Sequence, residues 1–243
     1  MVIAQSESGF DGAPSNDNMK RTSTKSAVVF LFDVDNTLLD NDALTGDLKH
    51  YLQREVGFKR AKSYWDLFEN LRDELGYADY LGALQQYRRK YPHDLHLLRL
   101  ARYIIDYPFA KRLFPKSLEV LKRARRWGTT GLLTDGDVVF QPRKVDCSGL
   151  FKAVDGNVLI YVHKEQELGD VARRFPARHY VLVDDKVRIL TAVKKIWGAR
   201  VTTVFVRQGH YALDRKLVAK YPPADVTIES IGDFLKCEVS EFR

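Results

Sequence analysis

Ala27-Val28-Val29-Phe30-Leu31-Phe32-Asp33-Val34-Asp35-Asn36-Thr37 is the stretch from which the architecture of this chain can be read. Six apolar residues, mostly valine and phenylalanine, stop abruptly at a carboxylate, and the chain then turns polar. A short apolar run without alternation predicts a strand buried on both faces, the kind that parallel sheets contain. Comparable runs recur at Gly131–Thr134, Val158–Val162, Tyr180–Val183 and Val201–Val206, with a weaker one at Asp225–Ile228. Between them, Ser117–Trp127, Glu165–Arg174 and Val187–Trp197 carry helical patterns. Strand-helix alternation of this kind predicts an α/β fold: a doubly wound parallel sheet joined by right-handed crossovers.

One region breaks the alternation. From Asp42 to about Pro108 there is no convincing strand, only helix-like stretches punctuated near Gly57, Gly76 and Tyr91-Pro92. Leu67, Leu71 and Leu75, and then Leu95, Leu98 and Tyr103, suit helices that bury one stripe. The expected organisation is a core of residues 27–41 and 111–243, with an all-helical insertion at 42–110. Residues 1–26, rich in Ser, Asp, Asn and Gly, read as a disordered tail.

The whole-chain numbers narrow the class of protein. With 243 residues, 45% of them hydrophobic, the chain is long enough for a large α/β domain or a core with a smaller partner. The longest apolar run is far too short for a bilayer, so no membrane partner is expected. The N-terminus shows no basic-then-apolar pattern, and two distant cysteines, Cys147 and Cys237, form no disulfide framework or zinc motif. These features point to a reducing compartment, with the cytoplasm as the expected location. The net charge of +7 is concentrated in residues 111–243, where twenty-five Lys and Arg face sixteen Asp and Glu. Its densest piece is Lys122, Arg123, Arg125 and Arg126, which reads as the solvated face of an amphipathic helix. No aromatic-basic alternation accompanies it, and an anionic substrate explains a modest positive field equally well, so nucleic acid is not the expected partner.

In open α/β sheets, ligands bind beyond the carboxyl ends of the strands. The first strand is followed there by Asp33-Val34-Asp35-Asn36-Thr37 and the second by Thr134-Asp135-Gly136-Asp137. The third is followed by His163-Lys164-Glu165 and the fourth by Asp184-Asp185-Lys186. Two carboxylates one residue apart, Asp33 and Asp35, can serve as a nucleophile beside a proton donor, although such a pair can also cap a turn. Thr134 offers a hydroxyl, Gly136 allows close backbone approach, and amides at a helix start attract anions. Lys164 can place a compact positive charge on a phosphate. Asp184 and Asp185 would repel each other unless a hard cation with oxygen ligands, such as magnesium, or a helix N-terminus offsets them.

In this order and location the pieces resemble the four signature motifs of the haloacid dehalogenase superfamily: Asp-x-Asp-x-Thr, then Ser or Thr, then Lys, then a pair of acidic residues. They correspond to Asp33-Val34-Asp35-Asn36-Thr37-Leu38, Thr134, Lys164 and Asp184-Asp185. The resemblance runs from about Ala27 to Leu235, and the helical insertion falls where that superfamily has its type 1 cap. Phe114-Pro115 resembles the entry to the core helix after such a cap. Gln141, Lys144, Gly149, Leu150 and Phe151 resemble the helix after the second motif. The sequence departs from the pattern twice: Glu165 follows Lys164 where proline is common, which leaves Lys144 as an alternative phosphate-binding lysine, and no third acidic residue follows Asp185 closely.

What the resemblance implies is a magnesium-dependent phosphatase acting on a small phosphorylated metabolite. Asp33 would attack phosphorus to form an aspartyl-phosphate, and Asp35 would serve as general acid and then general base. Magnesium would be held by the Asp33 carboxylate, the Asp35 main-chain carbonyl, and Asp185 with or without Asp184. Thr134, Lys164 and the amides after Asp33 and Thr134, that of Asp135 among them, would cradle the phosphoryl oxygens. The alternatives on the same fold are a phosphosugar mutase, a haloacid dehalogenase, which lacks a carboxylate at the position of Asp35, or a non-catalytic binding protein. Cap residues open to a selective role are Trp65, Arg72, Tyr77, Tyr80, Arg88 and Arg89.

Overall fold

The computed structural model describes residues 26–242. The expected tail at 1–26 therefore lies, but for its last residue, outside the described residues. Six parallel strands form one sheet: β1 (Ser26–Phe32), β2 (Thr129–Asp135), β3 (Val158–Tyr161), β4 (Ala177–Asp184), β5 (Val201–Val206) and β6 (Val226–Ile228). Their order is β3-β2-β1-β4-β5-β6, so β1 lies in the middle and the chain reverses direction across the sheet on either side of it. That is the doubly wound arrangement, with its switch point beside β1.

The apolar run that defines β1 works on both faces. Val28, Phe30 and Phe32 point into one core cluster, and Val29 and Leu31 into the other. On the first side they meet α4 (Ser117–Trp127) through Val120, Leu121 and Ala124, and the C-terminal Phe234 and Phe242, whose rings stack 5.0 Å apart. On the second side lie α7 (Leu168–Arg174) and α8 (Val187–Trp197). Each of these large side chains, once fully buried, contributes roughly 1.5–3 kcal/mol of hydrophobic stabilisation. With partners on both faces, no alternation of polar residues is possible.

Between β1 and β2 the described chain is helical: α1 (Asn41–Leu75), α2 (Tyr80–Lys90) and α3 (Leu97–Ile105). Helix α1 is broken at Gly57, which adopts φ 77° and ψ 164°. It ends at Gly76 in a left-handed conformation (φ 79°), where an added Cβ would come within 2.7 Å of the His163 ring. Glycine there lets the end of α1 reach the loop after β3. The two crossings into this helical segment run side by side, because Asp40 N donates to Arg112 O (2.7 Å) and Phe114 N to Leu38 O (2.9 Å). The segment also shares a core with the sheet's first face: the rings of Tyr80 and Phe140 lie 5.0 Å apart, and those of Phe109 and Phe140 5.5 Å.

The stripe expected from Leu95 and Leu98 is not the buried one. These residues are 92% and 71% exposed, and Leu100 and Ile104 are buried instead. Asp94 explains the shift. It accepts hydrogen bonds from Tyr87 Oη (2.5 Å) and His96 N (2.9 Å), which hold Leu95 in a loop, so that α3 begins only at Leu97.

Candidate active site

The carboxyl ends of β1, β2 and β4, with the loop after β3, converge on one point. The main chain leads Asp33 there, because its N–H still donates to Val183 O of β4 (2.9 Å) as a continuation of the parallel ladder. The Asp33 side chain is buried. Its Oδ1 accepts from Lys164 Nζ at 2.6 Å, and Thr37 Oγ1 approaches Oδ2 at 3.4 Å. Lys164 stands in the 3₁₀ turn Lys164–Gln166 directly after β3, fully inside the protein. Its ammonium donates to Leu133 O (3.2 Å) and is paired with Asp184 Oδ2 (2.6 Å), the latter contact lying off-line for a hydrogen bond. Burial alone would pull this ammonium down, but Asp184, Asp33 and Asp135 around it hold it well above the usual lysine range.

Thr134 Oγ1 accepts from Gln141 Nε2 at 2.9 Å, which ties the end of β2 to α5 (Phe140–Cys147). Asp135 turns its Oδ1 to the main-chain N–H of Lys164 (2.7 Å) and so fixes the lysine's turn. Burial pushes the Asp135 carboxyl up. The departure at Glu165 is explained by its partner: Oε1 accepts from Arg188 Nη1 at 2.7 Å, which braces the turn from α8. Lys144, the alternative lysine, is also buried, but it reaches another carboxylate, donating to Asp35 Oδ1 at 2.6 Å and to Asn41 Oδ1 at 3.0 Å.

The second acidic pair sits against Asp33. Carboxylate oxygens of Asp33, Asp184 and Asp185 lie within 4.8 Å of one another, and all three residues are buried. Asp184 Oδ1 is held by the N–H of Lys186 (2.8 Å), whereas neither oxygen of Asp185 has a hydrogen-bond partner among the described residues. Burial pushes the Asp184 carboxyl up to about 6 despite Lys164, and pushes Asp185 well above its usual range despite Lys186. Lys186 is half-buried, and Asp185 and Asp33 outweigh its desolvation and hold its ammonium above the ordinary range. With all four carboxylates ionised, counting Asp135, the two ammonium groups would leave a deficit of two positive charges. Unpartnered, buried, hard oxygen donors in such a field are what a divalent cation requires, and the site fits one. The Asp35 side chain lies outside this cluster; only its main-chain carbonyl was expected to contribute.

Above the carboxylates opens a cavity of about 830 Å³, with Asp35, Asp135 and Lys186 on the sheet side and Phe68, Arg72, Tyr77 and Tyr80 on the helical side. Among the suggested cap residues, Arg72, Tyr77 and Tyr80 therefore line it. Trp65, Arg88 and Arg89 do not: Trp65 packs edge-on against Phe68 at 5.1 Å, and the two arginines are exposed on α2. Sequence reasoning missed the clasp at the cavity's rim. His210 N donates to Asp42 Oδ2 (2.7 Å), and Asn36 Nδ2 donates to Asp42 Oδ1 (3.0 Å). Nothing in sequence links positions this far apart. Lys186, by contrast, was visible beside Asp185 and is separated from it by no spacing at all.

A parallel switch-point sheet that gathers a threonine, a buried lysine and an acidic cluster at its carboxyl edge defines a hydrolase of the haloacid dehalogenase type. The comparisons agree, since the family model for haloacid dehalogenase-like hydrolases matches residues 28–196, and the chain belongs to that family. Among solved structures, it is similar to a haloacid dehalogenase-like hydrolase from Burkholderia xenovorans LB400. The two share 57% identity over 87% of this chain and 99% of that one, with a TM-score of 0.84. It shares the fold alone with the magnesium-bound HAD-hydrolase YfnB of Bacillus subtilis, at 14% identity over 86% and 97% of the chains and a TM-score of 0.57. The same holds for the L-2-haloacid dehalogenase of Xanthobacter autotrophicus, at 16% identity over 86% and 96% and a TM-score of 0.57. A search of the curated proteins finds no match. No helix among the described residues is long and apolar enough to cross a membrane.

Proposed function

We infer that the protein is a magnesium-dependent phosphatase that hydrolyses a small phosphate monoester through an aspartyl-phosphate on Asp33. The observation that carries this reading is the Asp185 carboxylate, buried with neither oxygen partnered among the described residues, beside Asp33 and Asp184. A divalent cation would offset that charge, and phosphate chemistry uses one. Asp35, on the cavity wall, supports the same choice, since haloacid dehalogenases lack a carboxylate there.

In this reading Asp33 forms a bond to phosphorus as the bond to the leaving oxygen breaks. Asp35 gives that oxygen its proton. The resulting Asp35 carboxylate then takes a proton from water as the water oxygen attacks phosphorus, which releases phosphate and restores Asp33. Lys164, Thr134 and nearby amides hold the phosphoryl oxygens, and Lys186 adds positive charge. The cation would be held by Asp33, Asp184, Asp185 and the main-chain carbonyl of Asp35. When bound, it offsets the repulsion between carboxylates and phosphate. Residues 42–110 would act as a cap over the site, hinged near Asp40–Asp42 and Pro108–Lys111, and select the leaving group.

The test is metal removal. Phosphate release from 4-nitrophenyl phosphate is expected to disappear with a chelator and to return with magnesium. Added magnesium is also expected to raise the melting temperature of the wild type, and to do so less in Asp185→Asn. Metal-independent halide release from a 2-haloacid, without phosphate release, would replace this reading with the dehalogenase one.

A further inference from the structure

Lys144 is a buried cation that the reaction as written leaves without a task. It lies on α5, its side chain is 1% exposed, and its hydrogen bonds go to Asp35 Oδ1 (2.6 Å) and Asn41 Oδ1 (3.0 Å). The Phe140 ring, 5.1 Å away, walls off one side. Desolvating an ammonium is costly, and removing either partner of a buried pair leaves an uncompensated charge. Such an arrangement fixes its carboxylate tightly. Asp35 Oδ1 is engaged by Lys144, while Oδ2 has no partner among the described residues, and Asp35 lines the cavity.

Asn41 extends the arrangement. It is the first residue of α1, and its Nδ2 donates to Tyr80 Oη (3.3 Å), which also contacts Thr45 Oγ1 (2.9 Å). Lys144 therefore stands between the carboxylate at the catalytic loop and the base of the helical segment. A lysine needed only for cohesion would gain as much from any surface carboxylate. This one is buried at the single acidic side chain that borders the cavity from the Asp-x-Asp motif.

We propose that Lys144 is a positioning residue for Asp35: it pins Oδ1 so that Oδ2 is presented to the leaving-group oxygen and then to water. The proposal rests on the phosphatase reading of the site. Loss of a positioned general acid-base costs about 10²–10⁴ in rate where proton transfer matters. It matters little for expulsion of nitrophenolate, which leaves readily without protonation, and much for expulsion of an alkoxide.

The experiment compares wild type, Lys144→Met and Lys144→Arg on 4-nitrophenyl phosphate and on 2-glycerophosphate with magnesium. For Lys144→Met, kcat/KM on 2-glycerophosphate is expected to fall by about a hundredfold, and on 4-nitrophenyl phosphate by no more than about threefold. Because water attack still needs Asp35, kcat falls on both substrates, and rapid mixing should show a burst of nitrophenol approaching one per protein. Lys144→Arg, which keeps the charge, is expected to recover part of the 2-glycerophosphate rate. Equal losses of kcat/KM on both esters without a burst, in protein that melts normally, would overturn the positioning role and leave the phosphatase reading intact. A wild type that hydrolyses neither ester would overturn both. Should Lys144→Met fail to fold, Lys144→Gln, which keeps a donor without the charge, carries the same comparison.

Discussion

At the carboxyl edge of the sheet, ionised groups are buried in mutual contact; in the helical segment between β1 and β2, the buried side chains are aliphatic and aromatic but for Ser63 and Asp94. Lys164, Asp33, Asp184 and Asp185 are all within the protein at the first place. Tyr64, Tyr80, Tyr87 and Phe68 fill the second, with ring contacts such as Phe68–Tyr80 at 4.8 Å. Burying charge is expensive and persists where the charges perform chemistry, whereas aromatic packing is favourable anywhere. The difference teaches that the sheet edge holds a fixed reaction centre. The helical segment contributes a wall of the cavity, with Arg72 and Tyr77 among its residues.

The most severe way to probe the reaction centre is Asp33→Asn. An amide cannot form the acyl-phosphate, so turnover is expected to drop to background while the melting temperature holds, as measured by phosphate release and thermal denaturation. Appreciable turnover in variant protein free of contaminating phosphatase would remove Asp33 from the nucleophile's role.

Next in size comes a pair of substitutions on either side of the cavity. Lys164→Ala is expected to depress every phosphate ester by a similar factor, on the order of 10²–10³, because its charge serves the shared phosphoryl group. Arg72→Ala is expected to reorder substrates by about tenfold while sparing 4-nitrophenyl phosphate, and Arg88→Ala, outside the cavity, to leave the order unchanged. Kinetics on three or more esters decide the matter. Uniform losses from Arg72→Ala, or selective ones from Lys164→Ala, would dissolve the distinction between centre and wall.

A smaller effect tests the one buried carboxylate of the helical segment. Burial works to raise Asp94, but Tyr87, the His96 amide and ring, and Arg60 outweigh it and bring it down to about 2. A carboxylate depressed in the folded state adds stability that is present above its unfolded value of 3.8 and is lost as pH falls towards about 2. Asp94→Asn is therefore expected to cost about 2 kcal/mol in urea unfolding at neutral pH, and progressively less as wild type is taken below pH ~4. Its side chain is 1% exposed, so solvent screens it little. A pH-independent difference would mean that Asp94 acts through shape alone.

The smallest expected effect is Leu98→Ala, within about 0.5 kcal/mol because the side chain faces solvent. Leu100→Ala, two residues on and on the opposite, buried face of α3, should cost about 2–5 kcal/mol. Comparable losses at the two positions would place the buried stripe of α3 where the sequence alone suggested it.

The sheet was legible because doubly buried strands leave an unmistakable mark. Val201–Val206 and the helices Ser117–Trp127 and Val187–Trp197 have the bounds their patterns predict. The third predicted helix, Glu165–Arg174, divides. Its first residues form the 3₁₀ turn that carries Lys164 into the site, and α7 starts only at Leu168. The leucine stripe failed at Leu95 and Leu98 because a buried Asp94, an unusual feature that periodicity ignores, holds that loop and sets where α3 begins.

By itself the sequence determined the parallel α/β sheet and the carboxylates, hydroxyl and lysine that follow its strands. Those features depend on local patterns, on burial of both strand faces and on the rule that ligands meet the strands' carboxyl ends. Only the tertiary structure decided which lysine meets which aspartate. Lys164 joins Asp33 and Asp184, and Lys144 joins Asp35, across separations of more than a hundred residues in two of these three pairs. Pairing of this kind is set by which side chains are brought together without water, and a linear spacing carries no record of it. The same is true of the Asp185 oxygens, whose lack of partners becomes visible only once the folded chain encloses them.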